Sequence, residues 1–176
     1  FATRNELTGS IVLAVPGTST ATGANLVSNG HFDTNTTGWN SLSSATLSVV
    51  DGKLRVTNST TAYGKAEQEI TTEAGKRYTF SLDSYTGTTS DEAQIRVGST
   101  SNGSDLLAAT DVPTGHHSVS FTATGTSSYI NVNNGGNNTN EYSEFDNIVV
   151  KQEDAPRDYS ADIKGSGTNK TLTPSG

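Results

Sequence analysis

The stretch NLVSNGHFD at residues 25–33, followed by Gly38-Trp39, is the most informative part of this chain. It joins a short apolar segment to an Asn-Gly turn, and then adds one Phe, one acidic residue and the only Trp of the chain. Nothing else near the start of the chain suggests chemistry. The fold and any site are therefore best worked out from these residues.

The composition favours a β-rich domain with many polar turns. The chain has 176 residues, a length that fits one domain with tails. Hydrophobic residues make up 31% and charged residues 16%, and both fractions are low for a compact globule. Ser, Thr, Asn and Gly fill the difference, so disorder driven by strong charge does not explain the composition.

The net charge and the missing residue types exclude several classes of function. The net charge is −7 without any Lys/Arg cluster, and we expect no nucleic-acid partner because phosphate neutralisation needs grouped cations. The chain has no Cys, which excludes disulfides and thiolate sites. No apolar run approaches the roughly 20 residues that span a bilayer, so we expect no membrane insertion. Because the chain also has no Met, we expect it to be a processed product or a piece of a longer chain.

A tight hairpin is the clearest local signal. Asp51-Gly52 stands between two strand-like segments, Ala45–Val50 and Lys53–Asn58. An Asp-Gly pair suits the two-residue turn that joins antiparallel strands. The sequence therefore predicts that these two segments pair.

Other strand signals recur along the chain, with turn residues between them. The best alternation lies in Arg77–Tyr85, where Tyr78, Phe80 and Leu82 share one face. Further strands are predicted at Tyr63–Ile70, Ala93–Val97, Val119–Phe121, Tyr129–Val132 and Phe145–Lys151. Only Asp105–Thr110 is predicted as a short helical turn. Short strands at this regular spacing are typical of a sandwich or barrel.

The composition divides the chain into three parts. Residues 1–24 hold one apolar run, Ile11–Val15, and a Thr/Ser/Gly linker. Residues 25–151 carry the recurrent strands, and residues 152–176 are polar and Gly-rich. We expect both ends to be connectors to neighbouring segments, because ends with so few apolar residues cannot bury themselves.

Three motifs in residues 25–151 resemble the jelly-roll carbohydrate-binding modules of the xylan- and glucan-binding types. They are the opening NLVSNGHFD…GW, the pair AEQEI…GKRYTFS at residues 66–81, and the closing FDNIVV at residues 145–150. The resemblance implies an all-β fold, a jelly-roll β-sandwich of two antiparallel sheets with extended N- and C-terminal segments. It also implies a non-catalytic module that binds glycans.

The C-terminal segment resembles a stretch that recurs in bacteriophage tail-fibre and virion appendage proteins. It reads APRDYS at residues 155–160 and GSGTNKTLTP at residues 165–174. This resemblance implies a location on the virion surface, or otherwise outside the cell, and attachment to a host surface polysaccharide. Neighbouring virion subunits and a possible homotrimer are the partners it implies.

The jelly-roll resemblance also implies a structural Ca²⁺ that ties the first strand to the last. By position its ligands are Asp146 on the closing strand and Asn29 and Asp33 in the opening. Calcium prefers oxygen ligands of these types, and a cation would explain a carboxylate between Phe145 and Ile148. The alternative is that Asp146 caps a turn or accepts backbone N–H bonds.

A glycan site needs an aromatic platform and polar side chains that reach hydroxyl groups. The alternation places such residues outward on strands that we predict to be neighbours. The predicted glycan-binding residues are Tyr85, Arg96, Asp83, Gln94 and Tyr63. Trp39 is either a platform or a core residue, and the resemblance favours the core.

Enzyme chemistry is not indicated. Glu67 with Glu69, Asp91 with Glu92, and Glu141 with Glu144 are paired carboxylates, but none lies in a recognisable motif and we interpret them as solvated charge. We therefore predict a non-catalytic glycan-binding module of a viral fibre. The alternatives are a structural virion spacer without ligand and an accessory module of a polysaccharide-degrading enzyme.

Overall fold

The computed structural model describes residues 20–88 and 92–154, together with the backbone of two short strands, β11 (Ala161–Lys164) and β12 (Thr171–Pro174). These two strands pair with each other as an antiparallel hairpin. The predicted strand at Ile11–Val15 lies outside the described residues. Residues Ala21–Glu153 form one compact unit.

This unit is a sandwich of two five-stranded sheets, in which every described strand pair is antiparallel. The front sheet has the order β1-β4-β9-β6-β7, formed by Asn40–Leu42, Lys65–Thr71, Ser127–Asn133, Ala93–Gly98 and Leu107–Val112. The back sheet has the order β2-β3-β10-β5-β8, formed by Ala45–Val50, Lys53–Asn58, Tyr142–Gln152, Arg77–Thr86 and Gly115–Thr122. The predicted all-β sandwich is confirmed. No helix of the described residues is long and apolar enough to cross a membrane.

Local sequence signals explain most of the strands. Asp51 and Gly52 both have positive φ angles, 50° and 73°, as the two-residue turn between β2 and β3 requires. The predicted helical turn at Asp105–Thr110 is wrong, because Leu107–Val112 forms β7 and pairs with β6. The polar residues there belong to an edge strand with one exposed side. The sequence of such a strand is similar to that of a short helical turn.

The core lies between the sheets and is built by strand alternation. Tyr78, Phe80 and Leu82 of β5 are buried, as predicted. Phe32 and Trp39 of the opening join the same core, with ring centroids 5.7 Å apart. The indole Nε1 of Trp39 donates to the carbonyl oxygen of Asn29 at 3.2 Å, so its one polar group is paired. Trp39 is therefore a core residue.

The opening segment is held from two sides. On the back sheet, the backbone N–H of Ile148 donates to the carbonyl of Gly30 at 2.9 Å. On the front sheet, the buried amide of Gln68 accepts from the N–H of Ser28 at 2.8 Å and donates to the carbonyl of Ser28 at 3.0 Å. The opening thus connects both sheets through hydrogen bonds to fixed strands.

A bulge in β10 carries a chain of side-chain hydrogen bonds. The pairing of β10 with β5 shifts between Asp146 and Val149, and Asn147 there has a φ of 52°. Its Oδ1 lies 2.9 Å from Nδ1 of His31, and its Nδ2 donates to Asp83 at 2.7 Å. The other oxygen of Asp83 lies 2.7 Å from Nδ1 of His116. The hydrogen bond from Asn147, and then that from His116, lower the pKa of Asp83 from its ordinary value of 3.8.

Gly30 should tolerate no side chain. A Cβ built there would lie 2.1 Å from the carbonyl oxygen of Ile148, which is backbone and cannot swing away. We expect Gly30→Ala to lower the free energy of unfolding by about 2 kcal/mol or more, as overpacking does. The matched control is Gly125→Ala, where a Cβ meets nothing within 4 Å. Chemical denaturation of both variants checks this, and equal stabilities would contradict the described contact.

Asp83 should make stability fall in acid. Because its pKa is lowered in the folded chain, its contribution is present above the unfolded pKa and is lost as the pH falls through the folded pKa. Asp83→Asn should therefore be less stable than the parent at neutral pH, and the difference should shrink well below pH 3.8. Glu73→Gln, at an exposed turn carboxyl, is the control. A difference that stays constant with pH would refute this role of Asp83.

Candidate functional site

The outer face of the front sheet gathers polar side chains in two rows across the strands. One row runs through Lys65, Asn133, Gln94 and Asp111, which are register partners on β4, β9, β6 and β7. The next row runs through Glu67, Asn131 and Arg96. Strand alternation produces both rows, because the residues between them point into the core. We call this surface the front face.

The β6–β7 loop, Ser99–Leu106, packs onto the front face. The hydroxyl of Ser101 and the backbone N–H of Asn102 each donate to the carboxylate of Glu67 at 2.6 Å. Gly98 and Gly103 allow the loop to fold back, since a Cβ on Gly98 would lie 2.5 Å from the Cα of Gly103. Glu67 is only 3% exposed as a result. Its interpretation as solvated charge is wrong, because the loop covers it.

Two cations of the front face meet at one oxygen atom. The Oδ1 of Asn102 accepts from Nζ of Lys65 at 3.0 Å and also from Nη2 of Arg96. Burial, followed by the charge of Arg96, lowers the pKa of Lys65, and burial lowers the pKa of Arg96. Glu67 acts against both shifts. The face therefore holds two partly desolvated positive charges beside one carboxylate.

Three buried polar atoms on this face have no hydrogen-bond partner in the part of the chain that the structure describes. They are Nε of Arg96, Oδ1 of Asn131 and Oδ1 of Asn133. Buried polar groups are nearly always paired, so three orphans on adjacent strands of one face call for an explanation. One donor and two acceptors at fixed positions suit a ligand that can both accept and donate hydrogen bonds, such as a row of hydroxyl groups.

An aromatic ring lies beside these rows. Tyr129 of β9 is partly exposed and stands opposite Glu69 of β4 and Gly98 of β6. Partial burial, and then the neighbouring Glu69, raise the pKa of its hydroxyl. Tyr129 was not among the glycan-binding residues predicted from the sequence.

The predicted glycan-binding residues are divided between the two sheets. Gln94 and Arg96 lie on the front face, whereas Asp83 and Tyr85 lie on the outer side of β5 in the back sheet. The prediction that their strands are neighbours is wrong, because the connection after β5 crosses from one sheet to the other. Tyr63 lies in the β3–β4 loop and is 49% exposed.

The back-sheet aromatic ring already has a partner. Nζ of Lys53 lies 5.1 Å from the ring centroid of Tyr85, which is a cation–π contact. Asp83 is engaged by Asn147 and His116. These contacts do not separate the two pairs, because Gln94 donates to Asp111 at 2.7 Å and Arg96 donates to Asn102.

Sequence reasoning missed Lys65, Asn102, Asn131 and Asn133. A signal existed for the last two, since the alternation that buries Ile130 and Val132 also turns Asn131 and Asn133 outward together. No signal existed for Asn102, because its place over the sheet depends on how the loop folds back.

The three predicted calcium ligands have different surroundings. The amide nitrogen of Asn29 donates to the carbonyls of Asn35 at 2.8 Å and Thr37 at 3.1 Å, so it presents a donor there. Asp146 accepts the backbone N–H of Asn147 at 2.7 Å, as the alternative interpretation expected, and Asp33 is exposed. Within residues 20–88 and 92–154, no three acidic or His side chains group as a metal site. Calcium stays a prediction for Asp146, Asn29 and Asp33.

Comparisons with known proteins agree with this fold. The CBM22-1 xylan-binding domain of Paenibacillus barcinonensis Xyn10C is 16% identical, with a TM-score of 0.54 over 76% of this chain and 97% of its own. The CBM22-1–GH10 modules of Clostridium thermocellum xylanase 10B, complexed with xylohexaose, are 19% identical, with a TM-score of 0.55 over 78% of this chain and 30% of theirs. The active domain of bacteriophage CBA120 tailspike protein 4 is 17% identical, with a TM-score of 0.53 over 73% and 21%.

At these identities the solved structures show a shared fold alone, and a search of curated protein sequences found no significant relative. The family assignment comes instead from the sequence of the chain. Residues 24–116, just over half of the chain, match the family model CBM4/9, a carbohydrate-binding domain. This match includes the opening motif and four of the five front-sheet strands. The chain therefore belongs to the CBM4/9 family of carbohydrate-binding domains.

Proposed function

We propose that this chain is a non-catalytic module that binds a polysaccharide on its front face. The observation that carries the proposal is the set of unpartnered polar atoms on Arg96, Asn131 and Asn133. Leaving a buried polar group unpaired costs about 1–3 kcal/mol, and a ligand that displaced the side chains covering these atoms and paired them would recover that energy.

The strands hold these groups ready for a ligand. Asn131 and Asn133 stand on the central strand of the front sheet, and Arg96 is the register partner of Asn131. Groups fixed on strands lose little conformational entropy on binding. The exposed side chain of Asn102 is bonded to Arg96, so a sugar that displaces this amide gains access to the row beneath it. Tyr129 adds an aromatic surface for the apolar face of a sugar ring.

The setting that we favour is an accessory module of a polysaccharide-degrading enzyme. Two of the similar structures are modules of Xyn10C and of xylanase 10B, and the second is a complex with xylohexaose. In this setting a separate domain supplies the catalysis, and the module raises the local concentration of substrate. The full-length gene tests the setting directly.

The virion setting stays a prediction. It includes attachment to a host polysaccharide, neighbouring virion subunits and a homotrimer, with a location on the virion or outside the cell. The C-terminal motif that suggested it lies largely outside the described residues, and the likeness to the tailspike is one of fold.

Front-face substitutions should weaken glycan binding. We expect Asn133→Ala and Gln94→Ala each to reduce affinity roughly tenfold, because one hydrogen bond to a hydroxyl is worth about 1 kcal/mol or slightly more. A glycan array with the module presented multivalently finds the ligand, and titration calorimetry then measures each variant. Melting temperatures confirm that the variants are folded.

The matched control is Tyr85→Ala on the outer side of the back sheet. It should leave affinity unchanged if the ligand lies on the front face. Loss of binding in Tyr85→Ala with full binding in Asn133→Ala would move the site to the back sheet. Absence of binding to every glycan of the array would end the proposal.

We also keep calcium as a separate proposal with its own test. If Asp146 holds the ion, adding CaCl₂ after chelation should raise the melting temperature, MgCl₂ should not, and Asp146→Asn should abolish the rise. Asp111→Asn, on the other sheet, is the control. If CaCl₂ does not change the melting temperature of the parent chain, the calcium proposal is wrong.

A further inference from the structure

We propose that the front face takes an anionic glycan, one whose sugar carboxylate is held by Lys65 and Arg96 in the place where the Asn102 amide now lies. This inference rests on the proposed function and adds the chemical class of the ligand. It would make Asn102 the residue that decides whether acidic sugars are accepted.

The first argument is the convergence of two cations on one neutral oxygen. Lys65 Nζ and Arg96 Nη2 both donate to Oδ1 of Asn102. Two donors that share one acceptor can be no more than about 6 Å apart. Like charges at this separation repel, and the repulsion is stronger where water is partly excluded. An anion at the position of this oxygen would relieve the repulsion, whereas an amide supplies only a partial charge.

The second argument is the unfilled edge of the Arg96 guanidinium. The Nε and Nη2 atoms lie on one edge and together suit the two oxygens of a carboxylate. Asn102 fills Nη2, while Nε is buried and has no hydrogen-bond partner among the described residues. At Arg55 of the same molecule both edge donors are filled, since Nε and Nη2 donate to the one carboxylate oxygen Oε1 of Glu144, at 2.9 and 2.6 Å.

The third argument is the local charge balance. Glu67 is the one carboxylate in the row of Arg96, and it already accepts from Ser101 and from Asn102 N–H. It offsets one of the two positive charges, which leaves one uncompensated. Of the other carboxylates on these strands and this loop, Asp111 accepts from Gln94, Asp105 accepts from the backbone N–H of Ser99, and Glu69 neighbours Tyr129. In the described part of the chain, the side-chain hydrogen bonds of Lys65 and Arg96 go to Asn102 instead.

The overall composition makes this pair more informative. The chain has a net charge of −7 and contains only 11 Lys and Arg residues, so a partly buried cation pair on one face does not follow from a basic composition. Burial lowers the pKa of Lys65 and of Arg96, which agrees with cations that lack a full counter-charge. A uronic acid, with a planar carboxylate on a sugar ring, matches both the cation pair and the neighbouring hydrogen-bonding row.

The test uses acidic oligosaccharides and their carboxyl-reduced counterparts, so that each pair differs only in charge. Galacturonate, glucuronate and mannuronate oligomers cover three backbones, and a sulfated oligosaccharide separates carboxylate from sulfate. We expect the parent chain to bind at least one acidic oligomer tenfold or more tightly than its reduced form. Added salt should narrow this ratio.

Two variants at Asn102 sharpen the test. Its φ of 61° is tolerated by Gly and by Asp, so neither variant strains the turn. Asn102→Asp supplies an internal carboxylate, and it should weaken binding of the acidic oligomer about tenfold while leaving the reduced form unchanged. Asn102→Gly removes the competing amide and should retain or improve binding of the acidic form. Arg96→Lys keeps the positive charge but removes the two-donor edge of the guanidinium. This variant should lose most of the preference for the acidic oligomer over its reduced form.

A second readout does not need the ligand. Asn102→Asp should raise the melting temperature at neutral pH, because its carboxylate neutralises the cation pair, and the gain should disappear in acid. An unchanged or lower melting temperature at neutral pH would contradict a cation pair that lacks an anion.

The possible failures are distinguishable. Equal affinity for acidic and reduced oligomers, or a preference for the reduced form, overturns the anionic class but leaves glycan binding intact. If the chain prefers only the sulfated oligosaccharide, the proposal that the ligand carries a carboxylate is wrong. Binding to no glycan at all overturns both the class and the proposed function.

Discussion

The close approach of Gly30 to Ile148 is the contact on which the arrangement of this sandwich depends. A Cβ at residue 30 would lie 2.1 Å from the Ile148 carbonyl oxygen, so the opening segment can lie against β10 only with glycine there. This contact positions Phe32 and Trp39, which enter the core just beyond it. Gln68 then joins the same segment to β4 of the front sheet. The two sheets are thus tied by backbone and amide hydrogen bonds as well as by apolar contact.

The same strand alternation that fills the core also creates the front face. Burying Ile130 and Val132 turns Asn131 and Asn133 outward, side by side with Arg96 of β6. The core therefore supplies the energy that holds unpaired polar groups in position, since hydrophobic burial is the main favourable term in folding. Groups fixed in this way need no rearrangement of the backbone when a ligand arrives.

Sequence reasoning was reliable where the signal was local. The turn at Asp51-Gly52 and the inward residues of Arg77–Tyr85 each follow from adjacent residues, whereas the core position of Trp39 was indicated by the family resemblance. It failed where the outcome depended on the path of the chain. Strands β5 and β6 follow each other in sequence but lie in different sheets, so Tyr85 and Arg96 do not share a surface. Glu67 could not be recognised as buried, because a loop more than thirty residues later covers it.

The β6–β7 loop explains how such a polar face remains stable without a ligand. Ser101 and Asn102 pair with Glu67, and Asn102 also pairs with both cations, so a single loop satisfies most of the charged groups. Among the described residues it leaves Nε of Arg96 unpaired, because Oδ1 of Asn102 already accepts from Lys65 and from Nη2 of Arg96. The loop therefore imitates a ligand incompletely. On our proposal, a ligand with two oxygens in one plane would displace the Asn102 amide, because its second oxygen would accept from Nε of Arg96.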